Sequence, residues 1–330
     1  MALGAIGTLQ LALLVAGSQA VALARRGIRG SRRPGWSLRT ELTAAALRAV
    51  VLGSKRRGVQ WLREAQAAVP APSAAARRVG FERVDAGGVP AVWCLPPGPL
   101  PRRTIVYLHG GGYVIGSPHT HRDLIARLAL GVGARVLGVD YRLAPEHRFP
   151  AAHEDCLAAT RWALAQGTPP AALAIGGDSA GGALAVATLC GLRDAGEPLP
   201  AAAALLCPWT DPLAAGGSMD ANADADFGDR ELLVGWVGTY APGEAARDPR
   251  VSVVRADLAG LPPLLVQAGG AEVLLDQIEA FVARARAAGV EVRYDLVPEA
   301  FHDWQLQAAL LPEGARAVDD VVAFLSARLA

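Results

Sequence analysis

The spacing of apolar and polar positions changes twice along the chain. Residues 2–24 carry no charge, and at a helical rise they are long enough to span a bilayer, although Thr8, Gln10, Ser18 and Gln19 interrupt the apolar run. Residues 36–68 then alternate apolar and basic positions at roughly helical spacing (Leu38, Leu42, Ala45, Leu47, Val51, Trp61, Leu62). This predicts one or two amphipathic helices, with Gly53 and Gly58 as breaks. Val69–Ala76 reads as a connector. From about residue 79 short β-prone runs alternate with longer helical ones. The runs are 79–84, 91–95, 104–108, 135–140, 173–176, 202–207, 264–268 and 292–297. Helical segments are expected over 120–130, 152–165, 180–193, 277–288 and 315–329. Such alternation predicts a mostly parallel sheet of about eight strands wrapped by helices, with an antiparallel start where the first two runs lie close together. Residues 208–262, rich in Asp, Gly and Pro, break the rhythm as an insertion. With residues 36–68 they can form a cap over the sheet.

Composition changes the picture in one respect. The chain has 330 residues, 52% hydrophobic and 19% charged, which excludes wholesale disorder and suits one large domain. The net charge of +1 excludes a global basic field for nucleic acid. That sum is uneven. Residues 1–80 hold thirteen basic side chains against two acids, Glu41 and Glu64, so the rest is an acidic body. Arg25, Arg26, Arg29, Arg32 and Arg33 directly follow the apolar stretch. Positive charge there favours a cytoplasmic body with membrane association through residues 1–33. No positive charge precedes the stretch, which disfavours export, although Ala22-Leu23-Ala24 has the look of a cleavage site. A helix packed on the protein's own surface is the other reading, and a homodimer stays open. Cys94, Cys156, Cys190 and Cys207 are scattered, as reduced buried thiols would be.

The chemistry concentrates in three places. Gly177-Asp178-Ser179-Ala180-Gly181 is G-x-S-x-G between an apolar strand and a helical run, the setting of a nucleophile elbow. Gly177 and Gly181 stand where side chains would collide. Upstream, His109-Gly110-Gly111-Gly112-Tyr113 follows another strand, and its bare amides can stabilise an oxyanion. His109 reads as shaping this loop. With such an elbow the acid and then the histidine follow the serine. Of six histidines only His302 lies after Ser179. Two carboxylates compete for the acid: Glu272 in the loop after the strand at 264–268, and Asp276, which also fits a capping box with Glu279. His119 and His121 form H-x-H without a third metal ligand beside them, and read as a helix entrance with Arg122.

Together these pieces resemble the bacterial hormone-sensitive-lipase-like esterases of the α/β-hydrolase fold. The matching motifs are HGGGY at 109–113, GSPHTHR at 116–122, DYRLAPEH at 140–147 and GDSAGG at 177–182. NADAD at 222–226, GLPPLLVQAGGAEVLLD at 260–276 and FHDW at 301–304 continue the series, so the likeness spans about residues 36–330. The resemblance implies Ser179 as nucleophile, His302 as base, and an oxyanion hole from the N–H groups of Gly111, Gly112 and Ala180. It places the acid at Glu272, thirty residues before His302, where the family usually has Asp; Asp276 is the fallback. It implies hydrolysis of short- to medium-chain acyl esters with no metal or organic cofactor. Expected organisation is an apolar segment and basic linker over 1–35, cap helices over 36–78 and a catalytic domain over 79–330, with the cap insertion at 208–262. Trp209, Phe227 and Trp236 are candidates to line the pocket or to pack in the core. An amide or lactone hydrolase would use the same machinery. A non-catalytic binding protein on this fold, as in the plant gibberellin receptors, would have lost the histidine that this chain keeps.

Overall fold

The computed structural model describes residues 5–68, 73–213 and 216–330. Residues 2–4 of the apolar stretch, and the connector at 69–76 up to residue 72, lie outside the described residues. Eight strands form one sheet in the order β1-β2-β4-β3-β5-β6-β7-β8. These are β1 (Gly80–Asp85), β2 (Pro90–Leu95), β3 (Thr104–Leu108) and β4 (Arg135–Val139), then β5 (Leu173–Asp178), β6 (Ala202–Leu206), β7 (Leu264–Gly269) and β8 (Val292–Val297). β1 and β2 form an antiparallel hairpin, and β2 pairs antiparallel with β4. Every pairing from β4 through β3 to β8 is parallel.

Strand periodicity explains the two cores. In β3 all five residues are buried, because both faces of a parallel sheet are covered. Val106 and Leu108 face α5 (Ala151–Ala165), α6 (Ala180–Asp194) and α9 (Leu275–Ala287). Ile105 and Tyr107 face α4 (Arg122–Val132) and α10 (Pro312–Arg328). Each such side chain contributes about 2 kcal/mol on burial.

Among the described residues, three α-helices precede the sheet: α1 (Ala5–Arg29), α2 (Leu38–Arg57) and α3 (Val59–Ala68). Ser37 caps α2 by accepting the Thr40 N–H at 3.0 Å. The expected break at Gly53 does not occur. Gly53 sits inside α2, where α1 packs close by, and Leu14 would lie 3.6 Å from an added Cβ. Gly58, at φ 84°, is the real break. α1 runs on past the apolar stretch through Arg25, Arg26 and Arg29. Arg25 and Arg26 pair with buried Glu41 at 3.3 and 2.6 Å, which fastens α1 to α2. Residues Gly7–Arg29 are long and apolar enough to cross a membrane.

The insertion is less irregular than its composition suggests. It contains a short helix, α7 (Ser218–Ala221), and α8 (Arg230–Tyr240), capped by Asp229 accepting the Leu232 N–H at 2.9 Å. Gly235, Gly238 and the β-branched Val234 and Val237 have weak helix preference, and packing of Leu233 and Val237 into the core overrides it. α2, α3 and α8 together cover the C-terminal edge of the sheet above the functional loops. Arg63 of α3 donates to Val114 O and Ala144 O, both at 2.7 Å, and so pins the cap to the loops after β3 and β4.

Candidate active site

The parallel strands deliver their loops to one edge, the usual place for sites in α/β sheets. Ser179 follows β5 at once, in a left-handed turn at φ 51° and ψ −119°. This conformation costs roughly 1–3 kcal/mol and is held by its surroundings. The Ser179 N–H donates to Leu206 O, and Ser179 O accepts from the Trp209 N–H, both at 2.9 Å. The flanking glycines are required. A Cβ on Gly177 would strike Gly181 O, and one on Gly181 would strike Leu108 O.

His302 and Glu272 come from the loops after β8 and β7. Ser179 Oγ donates to His302 Nε2 at 2.9 Å, and His302 Nδ1 donates to Glu272 Oε2 at 2.7 Å. The other oxygen of Glu272 accepts the Gly269 N–H at 2.7 Å. Glu272 is fully buried. Asp276 points elsewhere, accepting the Ser218 N–H at 3.0 Å. The capping box also fails, because the N-cap of α9 is Leu274 and Asp276 already lies inside the first turn.

In the loop after β3, Gly111 and Gly112 take φ values of 115° and 59° that favour glycine. Ala180 opens α6, so its amide has no intrahelical acceptor. The loop is braced from below. Asp178 Oδ1 accepts the Tyr107 hydroxyl at 2.7 Å, and its Oδ2 accepts Gly110 N–H and His121 Nε2, each at 3.0 Å. Burial works against charge on both Asp178 and His121. Their mutual attraction outweighs it, so the carboxyl is held down and the imidazole up. His109 is pushed down to about 3, by burial first and then by His121, and is neutral. It stacks on Tyr141 at 4.2 Å and shapes the loop.

Three buried carboxyls surround the His302 ring. Burial pulls the imidazole down, but Asp303, Glu272 and Asp226 outweigh it and hold it up to about 10. Asp303 is itself pushed well up, by burial and by Asp178, Glu272 and Asp226, against the pull of His302. The two groups face each other, so each one's charge acts on the other. Asp226 accepts the His302 N–H at 3.2 Å and the Val273 N–H at 2.8 Å, tying the two loops together. Burial pushes its carboxyl up to about 6.

A cavity of about 280 Å³ opens over Ser179. Phe227, Leu232, Leu233 and Trp236 form its apolar walls, and Leu47 and Val51 of α2 complete them. Trp209 does not line it; it is buried beside Tyr113. Sequence reasoning missed the roles of Asp178, His121, Asp226 and Asp303. The first two stand inside the GDSAGG and GSPHTHR motifs, and Asp226 ends NADAD, so position in a motif was the available signal.

Residues 105–306 match the α/β-hydrolase fold family. The chain belongs to that family, in its bacterial hormone-sensitive-lipase branch. An acetyl-hydrolase of Streptomyces hygroscopicus is 45% identical over 248 residues, 73% of this chain and 81% of the relative. The carboxylesterase NlhH of Mycobacterium tuberculosis is 34% identical over 265 residues, 77% of this chain and 82% of the relative. The crystal structure of an esterase from the bacterial hormone-sensitive lipase family superposes with a TM-score of 0.77 at 39% identity. That superposition covers 96% of this chain and 98% of the esterase. EstE5 soaked with p-nitrophenyl butyrate gives a TM-score of 0.79 at 34% identity, with the same coverage.

Proposed function

We propose that the chain is a serine carboxylesterase acting on short- to medium-chain acyl esters, with Ser179, His302 and Glu272 as its triad. The unbroken relay from Ser179 Oγ through His302 to Glu272 carries the reading. His302 Nε2 takes the Ser179 proton as Oγ attacks the ester carbonyl. Glu272 holds the Nδ1–H tautomer and stabilises the imidazolium. The amides of Gly111, Gly112 and Ala180 receive the oxyanion, each worth about 3 kcal/mol of barrier. Nε2 then protonates the departing alcohol, and water releases the acid from Ser179. This sequence draws on side chains and amides alone.

Substrate size follows from the cavity. About 280 Å³ lies just below the usual range of ligand sites, which run from about 300 to 1,000 Å³. The bulky Phe227 and Trp236 walls favour short acyl groups, in keeping with the acetyl-hydrolase relative and the butyrate ester soaked into EstE5. Purified protein assayed with p-nitrophenyl esters from acetate upward tests this. Turnover should be highest from C2 to C6, and no hydrolysis of any ester by folded protein would overturn it.

We also propose that α1 rests in the plane of an anionic membrane on its cytoplasmic side. Leu9, Leu13, Val21, Leu23 and Ile28 of α1 are exposed, which makes an apolar stripe about 29 Å long. Exposed Arg56 and Arg57 lie near one end and Arg29 near the other. Flotation with phosphatidylcholine vesicles, with and without phosphatidylglycerol, tests this. Leu13→Asp/Val21→Asp should abolish binding. A dimer that this variant splits, without vesicle binding by the parent, would assign the stripe to a second copy.

A further inference from the structure

Asp303 is a buried group at this site that neither the triad nor the oxyanion loop uses. It lines the catalytic cavity with Ser179 and His302 and is 5% exposed. Its backbone is left-handed at φ 52°. This bend turns the carboxyl back toward the ring, so that Oδ2 lies 3.2 Å from His302 Nε2. Its own N–H donates to Cys207 Sγ at 3.4 Å. Cys207 and Ser179 are themselves left-handed, so three of the four non-glycine residues with positive φ among the described residues gather at this imidazole. Asp303 Oδ1 has no hydrogen-bond partner among the described residues. A buried oxygen without a partner, in the wall of a substrate cavity, points to something that binds there.

The chemistry of the second half-reaction says what. The leaving alkoxide accepts its proton from Nε2 and brings no hydrogen of its own that needs an acceptor. The attacking water brings two hydrogens. One goes to Nε2, and the other faces a cavity whose remaining walls are largely apolar. Resting on the serine esterase reading above, we propose that Asp303 accepts this second hydrogen and so positions the hydrolytic water for deacylation. The water oxygen bonds to the acyl carbon of acyl-Ser179 while one of its protons moves to Nε2. The other stays on that oxygen, directed at the Asp303 carboxyl, and becomes the acid's hydroxyl. The tetrahedral adduct then collapses, the bond from carbon to Oγ breaks, and Nε2 returns its proton to Oγ. Burial and the facing Asp178, Glu272 and Asp226 push the Asp303 carboxyl up. The unpartnered Oδ1 can accept a hydrogen bond in either protonation state.

This predicts a defect confined to one half-reaction. Acylation is read from the p-nitrophenol burst with p-nitrophenyl acetate, and deacylation from the decay of isolated acetyl-enzyme. In Asp303→Ala deacylation should slow about 10- to 100-fold more than acylation, the scale of loss for a misplaced reactant. Methanol should intercept more of the acyl-enzyme, raising the ratio of methyl acetate to acetate several-fold. Asp303→Asn keeps a carbonyl acceptor and the residue's shape, so it should recover part of the deacylation rate. Equal slowing of both steps in both variants, or unchanged partitioning to methanol, overturns the proposal. Absence of any burst in the wild type and in every variant would instead count against the esterase reading itself.

Discussion

Glu272 is the position where sequence reasoning left two candidates, and Glu272→Gln separates them. Both oxygens of Glu272 are engaged, Oε2 with His302 Nδ1 and Oε1 with the Gly269 N–H, each at 2.7 Å. A glutamine of the same shape cannot serve both. With its carbonyl toward Nδ1–H, its amide group faces the Gly269 N–H, donor against donor. Flipped, it satisfies Gly269 but donates to Nδ1, and the ring must then carry its proton on Nε2. The backbone amide cannot invert, whereas the ring can change tautomer, so the flipped form prevails. His302 then cannot accept the Ser179 proton, and the charge beside the imidazolium is gone. A trapped tautomer of this kind costs about 10⁴-fold in kcat, about 5.5 kcal/mol of barrier. Asp303 and Asp226 remain near the ring and retain part of the electrostatic support. The expected loss is therefore about 10³- to 10⁴-fold in kcat. Asp276→Asn should change kcat by less than about threefold and cost about 1 kcal/mol of stability, through its bond to the Ser218 N–H. The assay is kcat on p-nitrophenyl acetate, with folding checked by circular dichroism. Glu272→Gln keeping more than roughly a tenth of wild-type kcat, or Asp276→Asn falling as far, refutes the assignment.

Gly112→Ala should lower kcat/KM about 10²- to 10³-fold, because its Cβ would meet the Trp236 ring and displace an oxyanion amide; unchanged kinetics would count against that loop's role. Asp178→Asn leaves His121 without its buried partner and should cost about 3 kcal/mol in urea denaturation at pH 7. The sign with pH follows from the pair. Asp178 is held down, so its contribution is present above the ordinary aspartate range and lost as pH falls through its folded value. His121 is held up, so its contribution is present below the ordinary histidine value and lost as pH rises through its folded value. A wild-type stability profile that Asp178→Asn does not flatten at both ends would contradict this. Esterase activity needs neutral His302, and the neighbouring carboxylates hold its ring up. The acid limb of kcat/KM should therefore lie above the ordinary histidine value of about 6.5 and below about 10, and a limb near pH 5 would contradict the arrangement.

The strands themselves were readable because they are short β-prone runs between helical ones, and all eight appear within two residues of their expected positions, whereas their order in the sheet was not. Ser179 was legible for a steric reason: only glycine fits at 177 and 181. His302 was legible by elimination. Other features depend on distant packing and have no local signature. α8 looks like a strand or loop, with Gly235 and Gly238 among Val, Trp and Tyr, until the core claims one of its faces. Gly53 looks like a break, yet in the helix it serves close packing with α1. Of the carboxylates around His302, Glu272 stands at the family's spacing and Asp303 adjoins the histidine, but no local pattern brings Asp226 to the ring. Asp276 satisfied a capping pattern that the helix does not use, because the N-cap of α9 is Leu274, two residues earlier.

The central claim is that one serine, at the end of β5, forms the acyl-enzyme. Incubation with diethyl p-nitrophenyl phosphate followed by intact mass and peptide mapping tests it directly. The account predicts one phosphoryl group per chain, located on Ser179, with loss of all esterase activity in step with labelling. It also predicts that Ser179→Ala neither takes the label nor turns over p-nitrophenyl acetate. Labelling of another residue, or full labelling of Ser179 with activity intact, would contradict it.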